Sequence, residues 1–176
     1  LKGFWKRFLQ EYHYYTKRPW DLTSVGKFWD TVKEYDEVNE KLFTYFKRFI
    51  NSYDLANKYL TGNDYKMLDI QARSGKGSLF WHKKGKISSS VCVDFSDYLI
   101  CLAENRLNKT SLNFNCIKIV DFPLPLKNKK FDFICTYETI EHIYDYQTFV
   151  SELARVLKND GILILTCPTV AWEWVH

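Results

Sequence analysis

From Lys66 to Thr166 the chain alternates short, predominantly apolar runs with stretches of helical pattern, and this alternation restricts its fold more than any other feature. Residues 67–70, 91–95, 115–120, 131–136 and 162–166 each read as a strand. Strands that are apolar throughout have both faces covered, and strands that alternate with helices build a parallel sheet. The intervening helices are predicted through Phe80-Trp81, from Ser96 to Leu107, and over residues 144–157. Ser96 suits an N-cap, because its hydroxyl can accept from a free N–H of the first turn. Asn159-Asp160-Gly161 is predicted to end the last helix, with the glycine in the left-handed conformation that a helix end needs. The expected fold is therefore α/β, with a Rossmann-like, doubly wound, mostly parallel sheet.

Residues 1–60 differ from the rest, being crowded with Trp, Tyr and Phe at helix-like spacings. Phe28, Trp29, Val32 and Tyr35 fall near one helical face, as do Leu42, Tyr45, Phe46 and Phe49. Two or three amphipathic helices are expected, interrupted around Arg18-Pro19-Trp20 and Thr23-Ser24-Val25-Gly26. They would form a helical cap over residues 1–60, set on a domain of residues 61–176. Their aromatic side chains would pack onto that domain, and some would roof a binding pocket.

Bulk properties exclude several classes. No run of about 18 apolar residues occurs, so no membrane helix is expected. The first residues lack the charged, apolar, then small pattern of a signal peptide. The five cysteines, Cys92, Cys101, Cys116, Cys135 and Cys167, are odd in number, far apart and mostly in apolar runs. They lack zinc-site spacing and read as reduced thiols of a cytoplasmic protein. His13, His82 and His176 share no metal-ligand spacing with one another or with acids, and no metal is expected. A net charge of +4 permits a nucleic-acid partner without arguing for one.

In a sheet of this kind, ligands sit beyond the carboxyl ends of the strands, where strand order reverses. The residues that follow the predicted strands are informative. The first strand leads through Asp69 into Gln71-Ala72-Arg73-Ser74-Gly75, the second ends in Asp94-Phe95, the third in Asp121-Phe122, and the fourth in Tyr137-Glu138 with His142 close behind. Each strand delivers an acid or a small-residue loop to one crevice. The set suits a nucleoside ligand bearing a cationic sulfur. Asp94 could accept both ribose hydroxyls, and Asp121 could accept from an adenine amino group while Phe122 packs on the base. Small residues in the first loop would let backbone approach the ligand. Asp69 could orient that loop and reach toward the ligand's positively charged amino-acid end.

These motifs resemble the class I S-adenosylmethionine (SAM)-dependent methyltransferases, in particular the branch with small-molecule and quinone-type acceptors. In that family the first loop reads as an acid, an apolar residue, then Gly-x-Gly-x-Gly. Residues 67–77 match it, with Gln71 and Arg73 at the first two glycine positions and Gly75 at the third. Residues 131–143 resemble the fourth-strand segment, including the Glu-His pair. Residues 153–166 resemble the helix-to-fifth-strand segment, with Asn-Asp-Gly where Pro-Gly-Gly is common. The resemblance spans about residues 64–168. It implies SAM as cofactor, held by Asp69, Gln71, Ala72, Arg73 and Gly75 in the first loop. Asp94, Phe95, Asp121 and Phe122 would hold it after the next two strands, and Tyr137, Glu138 and His142 after the fourth.

The implied reaction is methyl transfer to a small-molecule acceptor, with a non-catalytic SAM-binding subunit as the alternative. His142 and Glu138 are available as a base, but alignment alone can drive such a transfer, so no catalytic residue is assigned. If the loop requires left-handed backbone, Gln71 and Arg73 each cost on the order of 1–2 kcal/mol there. Arg73 could point away, or grip the carboxylate end of SAM as a planar fork. The family adds two further strands after the fifth, and residues 171–176 come before them. The open edge is then expected to be covered by more chain, a second copy or a partner.

Overall fold

The structure is a computed structural model that describes residues 21–32 and 40–168. In chain order its elements are α1 (Leu22–Thr31), α2 (Phe43–Ala56), β1 (Tyr65–Ile70), α3 (Lys76–Lys83), β2 (Ile87–Asp94) and α4 (Asp97–Leu107). They continue with β3 (Asn113–Lys118), β4 (Phe131–Tyr137), a 3₁₀ turn (Ile140–His142), α5 (Tyr146–Val156) and β5 (Leu157–Thr166). All five strands are parallel, in the order β3-β2-β1-β4-β5. The chain enters at the central strand, builds outward to β3, and then crosses over to β4. Strand order thus reverses between β1 and β4.

Each sheet face carries its own apolar cluster. On one face Leu68, Ile70, Val93 and Ile134 meet Leu22, Val25 and Trp29 of α1, Leu99 of α4, and Phe149 and Leu153 of α5. On the other, Met67, Cys92, Phe133 and Cys135 meet Tyr45 and Phe49 of α2 and Trp81 of α3. The apolar strand runs are required by this double coverage. The aromatic helices near the start of the chain therefore belong to the same two cores as the sheet.

Several sequence expectations are corrected. α1 runs unbroken through Thr23-Ser24-Val25-Gly26, because Asp21 caps it by accepting from Ser24 N–H at 2.7 Å. Gly26 is not a breaker but a contact point. A Cβ there would lie 2.0 Å from the carbonyl oxygen of Phe95, so only glycine lets the helix press on the end of β2. In α2 the buried stripe is Tyr45, Phe49, Ser52 and Ala56, while Leu42 and Phe46 stay exposed. Tyr35 and the predicted break at Arg18-Pro19-Trp20 fall outside the described residues.

β2 begins four residues before the predicted strand, since its serines pair rather than disrupt. The Ser90 hydroxyl lies 2.7 Å from that of Ser78. β3 is shifted two residues toward its start relative to the prediction. Ser96 caps α4 as expected, accepting from Leu99 N–H at 3.1 Å. α5 stops at Val156, and Asn159-Asp160-Gly161 forms a bulge inside β5 instead of a helix end. Phe131 pairs with Leu157 and Phe133 with Ile162, leaving the residues between as the excess. Among the described residues the left-handed glycines are Gly75 and Gly85, not Gly161. A Cβ at 161 would lie 2.5 Å from the Leu157 side chain and 3.0 Å from the Lys158 carbonyl oxygen.

Candidate functional site

The carboxyl ends of β1, β2 and β4 meet at the point where strand order reverses, where such sheets bind ligands. The turn after β1 is left-handed three times: Gln71 has φ 52°, Arg73 φ 50° and Gly75 φ 72°. The two non-glycine positions are those where the family pattern has glycine, so the backbone has kept the loop's shape despite the side chains. Each costs on the order of 1–2 kcal/mol. Other contacts hold the loop. Ala72 N–H donates to the Val93 carbonyl at 3.1 Å, and Gly75 N–H to the Ala72 carbonyl at 2.8 Å.

Two carboxylates brace this end of the sheet from within. Asp94 is fully buried. One of its oxygens accepts from Phe95 N–H (2.8 Å) and Ser96 N–H (3.1 Å), and the other from Arg73 N–H (3.0 Å). A carboxylate has about four acceptor positions. The bidentate ribose contact expected of Asp94 is thus largely taken by backbone donors, and the residue ties β2 to the first loop. Burial pushes its carboxyl up to about 6, against the pull of the Ser96 and Arg73 N–H groups. Asp69 is turned away from the crevice, toward the start of α3. Its Oδ2 accepts from Ser78 N–H at 2.8 Å and from the Ser78 hydroxyl at 2.7 Å. Burial raises Asp69 to about 6 as well, with the Asp94 charge adding to the rise.

The aromatic helix α1 spans the strand ends. The Arg73 guanidinium lies over the Trp29 ring at 4.3 Å, and the Trp29 ring meets His142 edge-on at 5.6 Å. Trp29 therefore links the loop after β1 to the turn after β4. Asp30, beside it, accepts from the Ser96 hydroxyl at 2.5 Å and from Tyr98 N–H at 3.2 Å. Arg73 is engaged with α1 in this arrangement, the outward-turned alternative to a fork on a ligand carboxylate.

The remaining predicted residues divide. Phe95 is buried in the core against α1, and Ala72 is buried with the other cluster. Asp121 is exposed and accepts from Phe122 N–H at 2.8 Å, while the Phe122 ring lies 6.0 Å from that of Phe149. Tyr137 points into the core. Its hydroxyl accepts from Trp81 Nε1 at 3.1 Å and donates to Cys135 Sγ at 3.3 Å, and burial raises the phenol well above its ordinary value. Glu138 is left-handed, φ 51°, and its Oε1 accepts from the Thr166 hydroxyl at 2.7 Å. It lines a groove of about 680 Å³ between α2 and β5.

Three further residues stand at this end: Glu40 and Thr136, which carried no sequence signal as site residues, and Trp29, expected only as one aromatic of a helical face. Glu40 bonds the Ser74 hydroxyl at 2.5 Å and pairs with Lys76 at 2.7 Å and Arg106 at 2.9 Å. Burial opposes its ionisation, but hydrogen bonds from Arg106, Lys76 and Ser74 prevail and hold it at about 2. Among the described residues no group of three His, Cys, Asp or Glu side chains could hold a metal, and no helix is long and apolar enough to cross a membrane.

A protein family described as a methyltransferase domain matches residues 68–165. The ubiquinone biosynthesis O-methyltransferase of Pelagibacter ubique is 26% identical over 161 residues, covering 91% of this chain and 63% of that protein. The enzyme of the same name from Bartonella quintana is 26% identical over 109 residues, covering 61% of this chain and 43% of its own length. The chain thus spans less than two thirds of these curated relatives. A solved structure of a SAM-dependent methyltransferase from Aquifex aeolicus superposes with a TM-score of 0.55 at 23% identity, covering 64% of this chain and 61% of that one. That likeness supports the fold. With the family match extending from within β1 almost to the end of β5, the chain belongs to the methyltransferase domain family.

Proposed function

We propose that this chain is the cofactor-binding part of a SAM-dependent methyltransferase that acts on a small-molecule acceptor of quinone type. The observation that carries the reading is the loop after β1. It keeps three left-handed residues where the strand order reverses, and Arg73 N–H ties it to the acid that ends β2. Backbone strain of this kind persists only where the surroundings hold it in place, and it collects at binding sites. The residues present fit such a ligand, since buried polar atoms of Gln71 and Thr136 at this end have no partner among the described residues.

When bound, SAM supplies a methyl group already activated on a sulfonium sulfur. The chain's own part is to bind, orient and exclude water. The backbone of Gln71, Ala72, Arg73 and Gly75 lines the approach. Asp94 holds that backbone from behind through Arg73 N–H, Asp69 anchors the start of α3 that follows it, and Asp94 has about one acceptor position left for a ribose hydroxyl. Asp121 is open to accept from an amino group, with Phe95 and Phe122 bounding that side. Tyr137 supports the floor from the core, and Glu138 and His142 stand on the acceptor side. Alignment of reactants supplies about 7–11 kcal/mol in favourable intramolecular analogues, so no dedicated base is required.

The names of the two relatives support the acceptor class. The five free cysteines support a reducing compartment, the cytoplasm. Among the described residues β5 is paired on one side only, which supports covering of its other edge by a second copy or a partner chain. Calorimetry with SAM and S-adenosylhomocysteine tests the cofactor, followed by transfer of labelled methyl from SAM to catechol-type quinone precursors. Heat with both ligands and label on the acceptor are expected. Heat without label favours the non-catalytic subunit, and no heat with either ligand overturns the reading.

A further inference from the structure

Two buried side chains at the reversal of strand order have unmatched polar atoms. Gln71 is 4% exposed, and neither its Oε1 nor its Nε2 has a hydrogen-bond partner among the described residues. Thr136 is fully buried, and its Oγ1 is likewise unpaired. Their backbones lie close together at the ends of β1 and β4. Thr136 pairs with Ile70 in the last rung between β1 and β4, and Gln71 follows Ile70 directly. A buried amide left unpaired is costly, and φ 52° adds strain that a glycine would avoid. Glutamine at this position is therefore unfavourable for folding on two counts.

The charged residues nearby are already engaged. Asp69 accepts from Ser78, Asp94 from three backbone N–H groups, and the Arg73 guanidinium lies on Trp29. A primary amide offers an acceptor and two donors in one plane. The ligand group that answers both carries an ammonium and a carboxylate on the same carbon. We infer that the Gln71 side chain binds the α-amino-acid end of SAM, with Oε1 accepting from the ammonium and Nε2 donating to the carboxylate, and with the Thr136 hydroxyl donating to that carboxylate. Where the family pattern has a glycine and relies on backbone, this chain adds a side-chain clamp. The inference rests on the cofactor reading given above.

The test compares two ligands by calorimetry on the full chain: S-adenosylhomocysteine, and 5′-methylthioadenosine, which lacks the amino-acid end. In Gln71→Leu the affinity for S-adenosylhomocysteine falls about tenfold, the factor one hydrogen bond to a charged group is worth, while that for 5′-methylthioadenosine stays within about twofold. Gln71→Gly removes the amide and relieves the backbone, so it shows the same ligand pattern with a raised Tm, and it decides the matter if the leucine variant folds poorly. Thr136→Val gives a loss of about threefold, again confined to S-adenosylhomocysteine. The clamp is overturned if both Gln71 variants bind S-adenosylhomocysteine as the wild type does, or if they lose both ligands in equal proportion. A wild type that binds neither ligand overturns the cofactor reading and the clamp together. A wild type that binds both, with unchanged variants, overturns the clamp alone.

Discussion

At the carboxyl ends of β1 and β2 two carboxylates are buried and held by backbone and hydroxyl donors, whereas along β5, α2 and the turn after α2 the side chains of Leu163, Leu55 and Tyr59 stand open to water. Glu138 links the two regions, lying just beyond the crevice while lining the groove. The crevice is built before any ligand arrives: its backbone is bent into place and its acids are committed. The groove is apolar surface with little fixed geometry. A cofactor shared by a whole family suits the first kind of surface, and an acceptor that varies from member to member suits the second.

If this contrast is right, substitutions should have large effects at the crevice, of either sign, and small ones at the groove. Trp29→Ala carries the largest expected effect. It empties a nearly buried position and frees both Arg73 and His142, so stability falls by about 3–5 kcal/mol in urea titration. A loss below about 1 kcal/mol would mean that α1 is a passenger.

Asp69→Asn comes next and should stabilise the protein at neutral pH. The folded carboxyl sits at about 6 against a usual 3.8, so between these values the folded state holds the proton more tightly than the unfolded one. The wild type's extra stability is present below about pH 4 and is lost as pH rises through 6. The asparagine variant does not titrate. Its advantage over wild type should grow by on the order of 2–3 kcal/mol between pH 4 and pH 8, and a flat difference would show that Asp69 ionises freely.

Glu40→Gln has the opposite sign. Its folded carboxyl, at about 2, is stabilising above pH 4.5 and loses that effect as pH falls toward 2. Partial solvent exposure limits the expected loss at pH 7 to about 1 kcal/mol, and the gap to wild type should close in acid. The smallest change belongs to the groove. Leu55→Ala, at a side chain 70% exposed, should shift stability by less than about 0.5 kcal/mol. A larger effect would mean that the groove is already filled in solution.

The sheet was readable because its strands are apolar on both faces, and the left-handed loop because the family pattern places glycines at 71 and 73. Other features were hidden for physical reasons. The serines ahead of Val91 look like loop residues, yet Ser90 is satisfied by Ser78 across a helix–strand contact that no local pattern encodes. Gly26 looks like a breaker, and only the nearness of the Phe95 carbonyl shows why it is tolerated. Asp94 was correctly placed at the end of β2, but its three N–H donors come from a loop 21 residues away and from its own next turn. Glu40 and Arg106 are 66 residues apart, so their pairing leaves no trace in spacing.

The strand order also sets a timetable. β1 is made first among the strands and lies at the centre of the sheet, bonded on one side to β2 and on the other to β4. Lys66 waits for Asp132, 66 residues downstream, to accept its N–H. During synthesis the β2 side of β1 closes early, while its other side stays open until β4 has left the ribosome. Contacts of such long range close slowly, because loop entropy is lost before they form. In that interval an apolar central strand offers a bare edge to any extended chain nearby. A translational pause placed between β3 and β4 would prolong the hazard.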